Sequence, residues 1–159
     1  MRQFIEAAYK EAKLGIRNGD GGPFGAVIAK GGSIVGRGHN MVVKNNDPTA
    51  HAEIVAIRDA CKNLGIFDLT GCILYSTGRP CTMCYSASMW ANIQQIIYVC
   101  DYDHADNVGF RDTMISNSVS QNDNRYHNGA LSAEKTFLLF QECENLYQEW
   151  MNSEKKLPY

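Results

Sequence analysis

Apolar residues recur at helical spacing through the first seventeen positions of the chain, where Phe4, Ile5, Ala8, Ala12 and Ile16 mark one side of a helix from Arg2 to Arg17. Asn18-Gly19 and Gly21-Gly22 stop it. Two apolar runs follow, Phe24 to Ala29 and Ile34 to Gly38, around Lys30-Gly31-Gly32-Ser33, and a Gly-Gly pair between apolar runs predicts a hairpin. From about Ala50 to Leu64 the period returns to that of a helix, with Ala50, Ile54, Ile57, Cys61 and Leu64 on one face and Gly65 ending the run. Strands are expected at Cys72 to Ser76 and Ile96 to Cys100, with a helix to about Asn92 between them. Strand, helix and strand in so short a stretch imply a crossover and a parallel pair. The polar segment Asp101 to Asn128 carries no clear period, and its Ser/Asn/Gln-rich part from Ser116 to Asn128 reads as a loop. From about Ser132 onward, Leu139, Cys143, Leu146 and Trp150 keep helical spacing. The order predicts an α/β fold, a three-layer α/β/α sandwich with a mixed central sheet.

Composition narrows the function classes. The 159 residues suit one domain, 1–159. A formal net charge of -2 without any dense Lys/Arg run argues against a nucleic-acid partner. No stretch is apolar for long enough to span a bilayer, and nothing near Met1 has the form of a signal peptide, so no membrane partner and a cytoplasmic location are expected. In that setting the six cysteines are expected as thiols or metal ligands, not disulfides.

The chemistry gathers between Pro48 and Cys84. Pro48-Thr-Ala-His51-Ala-Glu53 precedes Pro80-Cys81-Thr-Met-Cys84, and each half falls where a helix should begin. Imidazole from His51 and thiolates from Cys81 and Cys84 are good Zn²⁺ ligands, and three protein ligands leave the fourth position open, as in a catalytic site. Glu53 is then a carboxylate beside the metal that handles protons without being a ligand. Alone, a His-x-Glu is common in any helix and a C-x-x-C serves redox pairs and structural zinc knots equally well. Together and in this order they resemble the zinc deaminases. A structural site would close with a fourth ligand; Cys61, Cys72, Cys100 and His39 are available, but the three cysteines read more simply as small apolar residues of a seam or a strand.

Further phrases resemble the guanine-deaminase branch of the cytidine-deaminase-like superfamily: Gly-Gly-Pro-Phe24-Gly-Ala-Val, Asn40, Asn46-Asp-Pro-Thr-Ala-His51-Ala-Glu53, Trp90, Gly109-Phe110 with Asp112, and Lys-Lys with a terminal Tyr159. The resemblance spans nearly the whole chain and implies hydrolysis of an aminated purine, guanine to xanthine and ammonia, with one Zn²⁺ per chain. It implies Glu53 and Asp112 as catalytic carboxylates, the second assisting departure of ammonia. Asn40 would offer an amide acceptor and donor to the base, and Phe24, Trp90 and Tyr159 would hold its flat ring. It also implies a homodimer in which the tail, about 152–159, crosses to close the pocket of the partner. Two other readings share the core motifs: a tRNA adenosine deaminase, disfavoured by the charge balance, and a retired deaminase fold serving as a zinc-stabilised binding module, which has no use for Glu53. One departure stands out. Where the family usually reads Cys-Glu before Pro-Cys, this chain has Gly78-Arg79, a change of two charge units beside the site.

Overall fold

The computed structural model describes residues 1–122 and 131–156. Five strands form one sheet in the order β2-β1-β3-β4-β5: β1 (Gly25–Lys30), β2 (Ser33–His39), β3 (Cys72–Gly78), β4 (Gln95–Cys100) and β5 (Ser132–Lys135). β1 runs antiparallel to β2 and β3, whereas β3, β4 and β5 are mutually parallel. The sheet is therefore mixed, as expected. Lys30 pairs with Ser33 across Gly31 and Gly32, whose φ values of 56° and 84° are those of the tight hairpin turn only glycine adopts readily.

The strands of the middle of the sheet are apolar on both faces because helices cover both. On one side, Val27, Ala29, Tyr75, Ile97 and Val99 meet α1 (Arg2–Asn18) and α7 (Phe140–Met151). On the other, Ala26, Ile28, Leu74 and Ile96 meet α3 (Ala52–Leu64) and the end of α4 (Thr82–Trp90) at Ala91. Short helices α2 (Val42–Asn45), α5 (Tyr102–Asp106) and the longer α6 (Asp112–Asn122) fill the end of the sheet. The five expected core positions of α1 are all buried, and Gly19 closes that helix in the left-handed conformation at φ 72°.

Three expectations change. Ala50 and Ile54 are buried as expected, but the rest of the buried face of α3 is the alanine row Ala52, Ala56 and Ala60, while Ile57, Cys61 and Leu64 are only partly buried. The cause is close approach: a Cβ on Gly36 would lie 2.5 Å from the Ala56 carbonyl and 2.7 Å from Ala60 Cβ, and one on Gly38 would overlap the Ala52 carbonyl. Small residues on both sides let this helix lie directly on β2. Second, Ser132–Lys135 is the edge strand β5 and not helix; α7 starts only at Phe140. Its pattern is exposed throughout apart from Lys135, so no apolar alternation marked it. Third, the loop expected from Ser116 begins as helix, since α6 continues to Asn122 and packs against α5 and α4. The rest of that expected loop lies outside the described residues. Cys72, Cys100 and Cys143 are buried, and none of the six cysteines forms a disulfide. Among the described residues no helix is long and apolar enough to cross a membrane.

A charge cluster ties α1 to the hairpin. His39 Nε2 lies 2.8 Å from Asp20 Oδ2 and Nδ1 lies 3.5 Å from Glu11 Oε2, with Lys44 also on Asp20 and Arg37 on Glu11. The Glu11 carboxylate, then Asp20, raise the imidazole above its usual range against the opposing effect of burial. The sign follows from linkage. A proton bound more tightly in the folded chain stabilises it fully below the unfolded value of about 6.5, and that contribution disappears as the pH rises through the raised folded value. In urea unfolding at a series of pH values, the stability gap between the wild type and His39→Gln is expected to be widest in the acid range and to shrink toward alkaline pH; a gap that widened with pH would refute the assignment.

Candidate active site at the carboxyl end of the parallel strands

His51, Glu53, Cys81, Cys84, Asn40 and Asp112 converge where β3 and β4 end and β1 begins, the end of an open α/β sheet at which ligands usually bind. Two helix N-termini meet there. His51 is the residue capping α3 and Cys81 the residue capping α4, each extended at φ -65° and -67°, with Cys84 in the first turn. Pro48 and Pro80, one before each helix, shape these entries. The donor atoms of His51, Cys81 and Cys84 all lie within 4.8 Å of one another. Cys81 Sγ is 3.6 Å from His51 Nδ1 and 3.6 Å from Cys84 Sγ. Tetrahedral zinc with its usual bond lengths would set sulfur to sulfur at about 3.8 Å and nitrogen to sulfur at about 3.6 Å, so this donor set fits the ion.

Electrostatics prepare the donors. The Cys84 thiol and the His51 imidazole hold Cys81 down to about 4 against the effect of burial, and the N-terminus of α4 favours the thiolate as well. Glu53, in the first turn of α3, is buried, with Ser76 Oγ 3.5 Å from Oε1 and Cys84 Sγ 3.5 Å from Oε2. Burial, and next the Cys81 thiolate, push its carboxyl up to about 7 in the metal-free chain; a dication in the site favours the charged form. Asp112 opens α6 and is likewise pushed up to about 6, first by burial and then by Cys81.

His51, Cys81, Glu53 and Asp112 line a cavity of about 400 Å³. Asn40 is buried on its wall, and its Oδ1 accepts from the backbone of Gly22 and Val42, both at 3.2 Å. Two N–H donors on one oxygen fix the amide orientation, leaving Nδ2 as the group for a ligand. The expected acceptor and donor pair is thus reduced to a donor. Phe24 lines the cavity as expected, edge-on to Phe110 at 4.9 Å and to Tyr147 at 5.8 Å. Trp90 does not. It sits at the far end of α4 from Cys81, 87% exposed, in a separate shallow depression with Met89. A nine-residue helix is about 13 Å long, which removes it from a ring held beside the zinc donors of its own chain. Tyr159 lies outside the described residues.

Among the lining residues to which sequence reasoning gave no role are Phe110, Arg79 and Arg111. The positions of the arginines, beside the second cysteine motif and beside Asp112, were the available signal. Nothing in the sequence paired Phe110 with Phe24, because that contact joins segments 86 residues apart (110 − 24).

A mixed sheet between helices, with a His/Cys/Cys donor set and a buried carboxylate at the helix N-termini, defines the zinc-dependent deaminases. Residues 1–100 match the family described as the cytidine and deoxycytidylate deaminase zinc-binding region, and the chain belongs to it. It is a zinc-dependent hydrolase of C–N bonds. The chain is 39% identical over 160 aligned residues to guanine deaminase of Bacillus subtilis, covering 98% of this chain and 97% of that one. It is 43% identical over 95 residues to the tRNA-specific adenosine deaminase of Aquifex aeolicus, covering 60% and 62%. The X-ray structure of guanine deaminase from Bacillus subtilis superposes with a TM-score of 0.71 at 38% identity, over 99% of this chain and 97% of that one.

Proposed function

We propose that the chain is one zinc-deaminase domain, 1–159, that removes the exocyclic amino group of an aminated purine, guanine to xanthine and ammonia. The observation that carries this is the convergence of Glu53, Asp112 and Asn40 on one cavity beside the zinc donors, on a chain similar along its whole length to a guanine deaminase. Sequence identity to the Aquifex aeolicus tRNA deaminase runs over 95 residues against 160 for the guanine deaminase, and a net charge of -2 disfavours a polynucleotide substrate.

One zinc held by His51, Cys81 and Cys84 would acidify water at its open position. Glu53, a buried carboxylate beside the donors, would carry a proton from water to the ring nitrogen beside the carbon under attack. Asp112 supplies a second proton-handling group, to the departing amine. Asn40 Nδ2 donates to an acceptor on the base, and the edges of Phe24 and Phe110 confine the ring and displace water. The buried proton carrier Glu53 also weighs against a retired binding module.

We infer that the working unit is a homodimer in which the tail of one chain closes the pocket of the other, with Tyr159 against the base. Exchange of an identical element is a low-cost route to a dimer. Lys155 packs on Gly19 and its Nζ donates to the Arg17 carbonyl at 3.1 Å, which brings the tail to the end of α1, ahead of the loop whose Gly22 donates to Asn40. Ammonia release from guanine, adenine, cytosine, guanosine and cytidine tests the substrate, and no turnover of any purine by zinc-loaded protein would end the purine reading. The same panel on protein lacking residues 155–159 tests the tail: turnover should fall sharply with zinc retained, and full activity would show the tail to be dispensable.

A further inference from the structure

We propose that Asp20 is a positioning residue for purine binding: its buried carboxylate joins the two backbone segments that hold the Asn40 amide, and so aims Nδ2 at the base. This rests on the assignment of Asn40 to the base made above and deepens it. Neither Asp20 nor its partner His39 lines the cavity, so the effect must pass through a residue that does. Asn40 is that residue. Its side-chain oxygen accepts from the N–H groups of Gly22 and Val42, each at 3.2 Å. The two donors come from different parts of the chain, Gly22 from the loop after α1 and Val42 from the start of α2.

Asp20 spans the gap between those segments. It stands two residues before Gly22, and its Oδ2 accepts from His39 Nε2 at 2.8 Å while its Oδ1 lies 3.4 Å from Lys44 Nζ. His39 and Lys44 flank Val42 in the sequence. The backbone repeats the link, since the Lys44 N–H donates to the Asp20 carbonyl at 3.0 Å. Asn18 Nδ2 is a further donor to Oδ2 at 3.2 Å, and Glu11 backs His39 from the side of α1 at 3.5 Å. There is no slack between these ties: a Cβ on Gly21 would overlap Asn40 Oδ1, so the loop backbone lies directly against the amide. A buried charge is costly unless its bonds are met. Burial opposes ionisation of Asp20, yet the bonds from His39 and Asn18, and the charge of Lys44, hold its carboxyl below the usual range. The charge is therefore kept where it locks together the two donors of one pocket residue.

The test uses the zinc-loaded full chain carrying Asp20→Asn, which keeps the shape of the side chain and removes its charge, with zinc content and far-UV circular dichroism reporting the fold. In guanine turnover KM should rise by about tenfold, the scale of one charge-assisted hydrogen bond, with kcat little changed, because a contact made alike to substrate and transition state acts on KM. In an Asn40→Ala background the same substitution should have no further effect, since a residue that acts through Asn40 cannot add to its removal. A merely structural tie would give losses that add. A second readout needs no substrate: amide hydrogen exchange at Gly22 and Val42 should quicken by about tenfold as their shared acceptor loosens, while Ile28 and Leu74, paired across β1 and β3, keep their rates. Unchanged exchange at both amides, an unchanged KM for guanine, or losses that add to those of Asn40→Ala would overturn the proposal and leave the purine reading standing. If no purine is turned over, the purine reading fails by itself, and exchange still decides whether Asp20 positions Asn40: faster exchange supports it and unchanged exchange overturns it. Should Asp20→Asn lose its fold, His39→Gln, which removes the charge from the other side of the pair, carries the same comparisons with the same deciding outcomes.

Discussion

Glu53→Gln is expected to lower turnover by about two to four orders of magnitude, the usual span for a positioned general acid–base group, while zinc stays bound. The two side chains have the same shape, so the packing around position 53, buried between Ser76 and Cys84, changes little. What disappears is the carboxylate's capacity to take up and give back a proton. An amide can accept a hydrogen bond from Cys84 but cannot carry a proton from water to substrate. Burying a carboxylate is costly, so the variant is expected to be at least as stable as the wild type. The measurement is kcat alongside zinc content and the thermal midpoint. A variant that retained most of its turnover would show that Glu53 is structural and that the proton travels through another group, Asp112 being a second carboxyl in the same cavity.

Cys81→Ala is expected to lose both metal and activity. Cys81 Sγ is the donor that touches both others, at 3.6 Å from His51 Nδ1 and 3.6 Å from Cys84 Sγ, and two donors make an incomplete shell for zinc. His51→Ala should behave in the same way. In the wild type, added zinc should raise the thermal midpoint, because a ligand that binds only the folded chain stabilises it by mass action. In Cys81→Ala that zinc-dependent rise should vanish. Elemental analysis finding full zinc occupancy in the variant would remove Cys81 from the ligand set and leave the site without its assigned geometry.

Much of this architecture was legible along the chain, and for a local reason. His51 and Glu53 are two residues apart, Cys81 and Cys84 three, so each pair is oriented by a single helix start and needs no knowledge of the rest of the fold. The same holds for the Gly31-Gly32 turn, whose register follows from two positive φ values, and for α1, whose apolar row Phe4, Ile5, Ala8, Ala12 and Ile16 is buried as spaced. Periodicity failed where burial was not the organising feature. β5 is an edge strand with exposed side chains, held by backbone pairing to β4, and hydrogen bonds of that kind leave no hydrophobic pattern. On α3 the expected face held at Ile54 but not at Ile57, Cys61 and Leu64, because the glycines of β2 selected the alanine row.

At the site, local sequence determined the zinc donors and the proton carrier, and tertiary structure decided what surrounds them. Asn40 supplies only a donor because Gly22 and Val42 occupy its oxygen. Trp90 was placed with the site by resemblance, yet it stands at the opposite end of the helix that Cys81 begins and lines none of the main cavity. Phe110 meets Phe24, and Arg79 settles on Tyr102, only because β1, β3 and β4 bring their ends together and α5 and α6 return over them. Ligand chemistry set by one turn of helix can be read from neighbours in the chain; the shape and charge of a pocket depend on contacts between distant segments, and those are decided only when the sheet and its covering helices have packed.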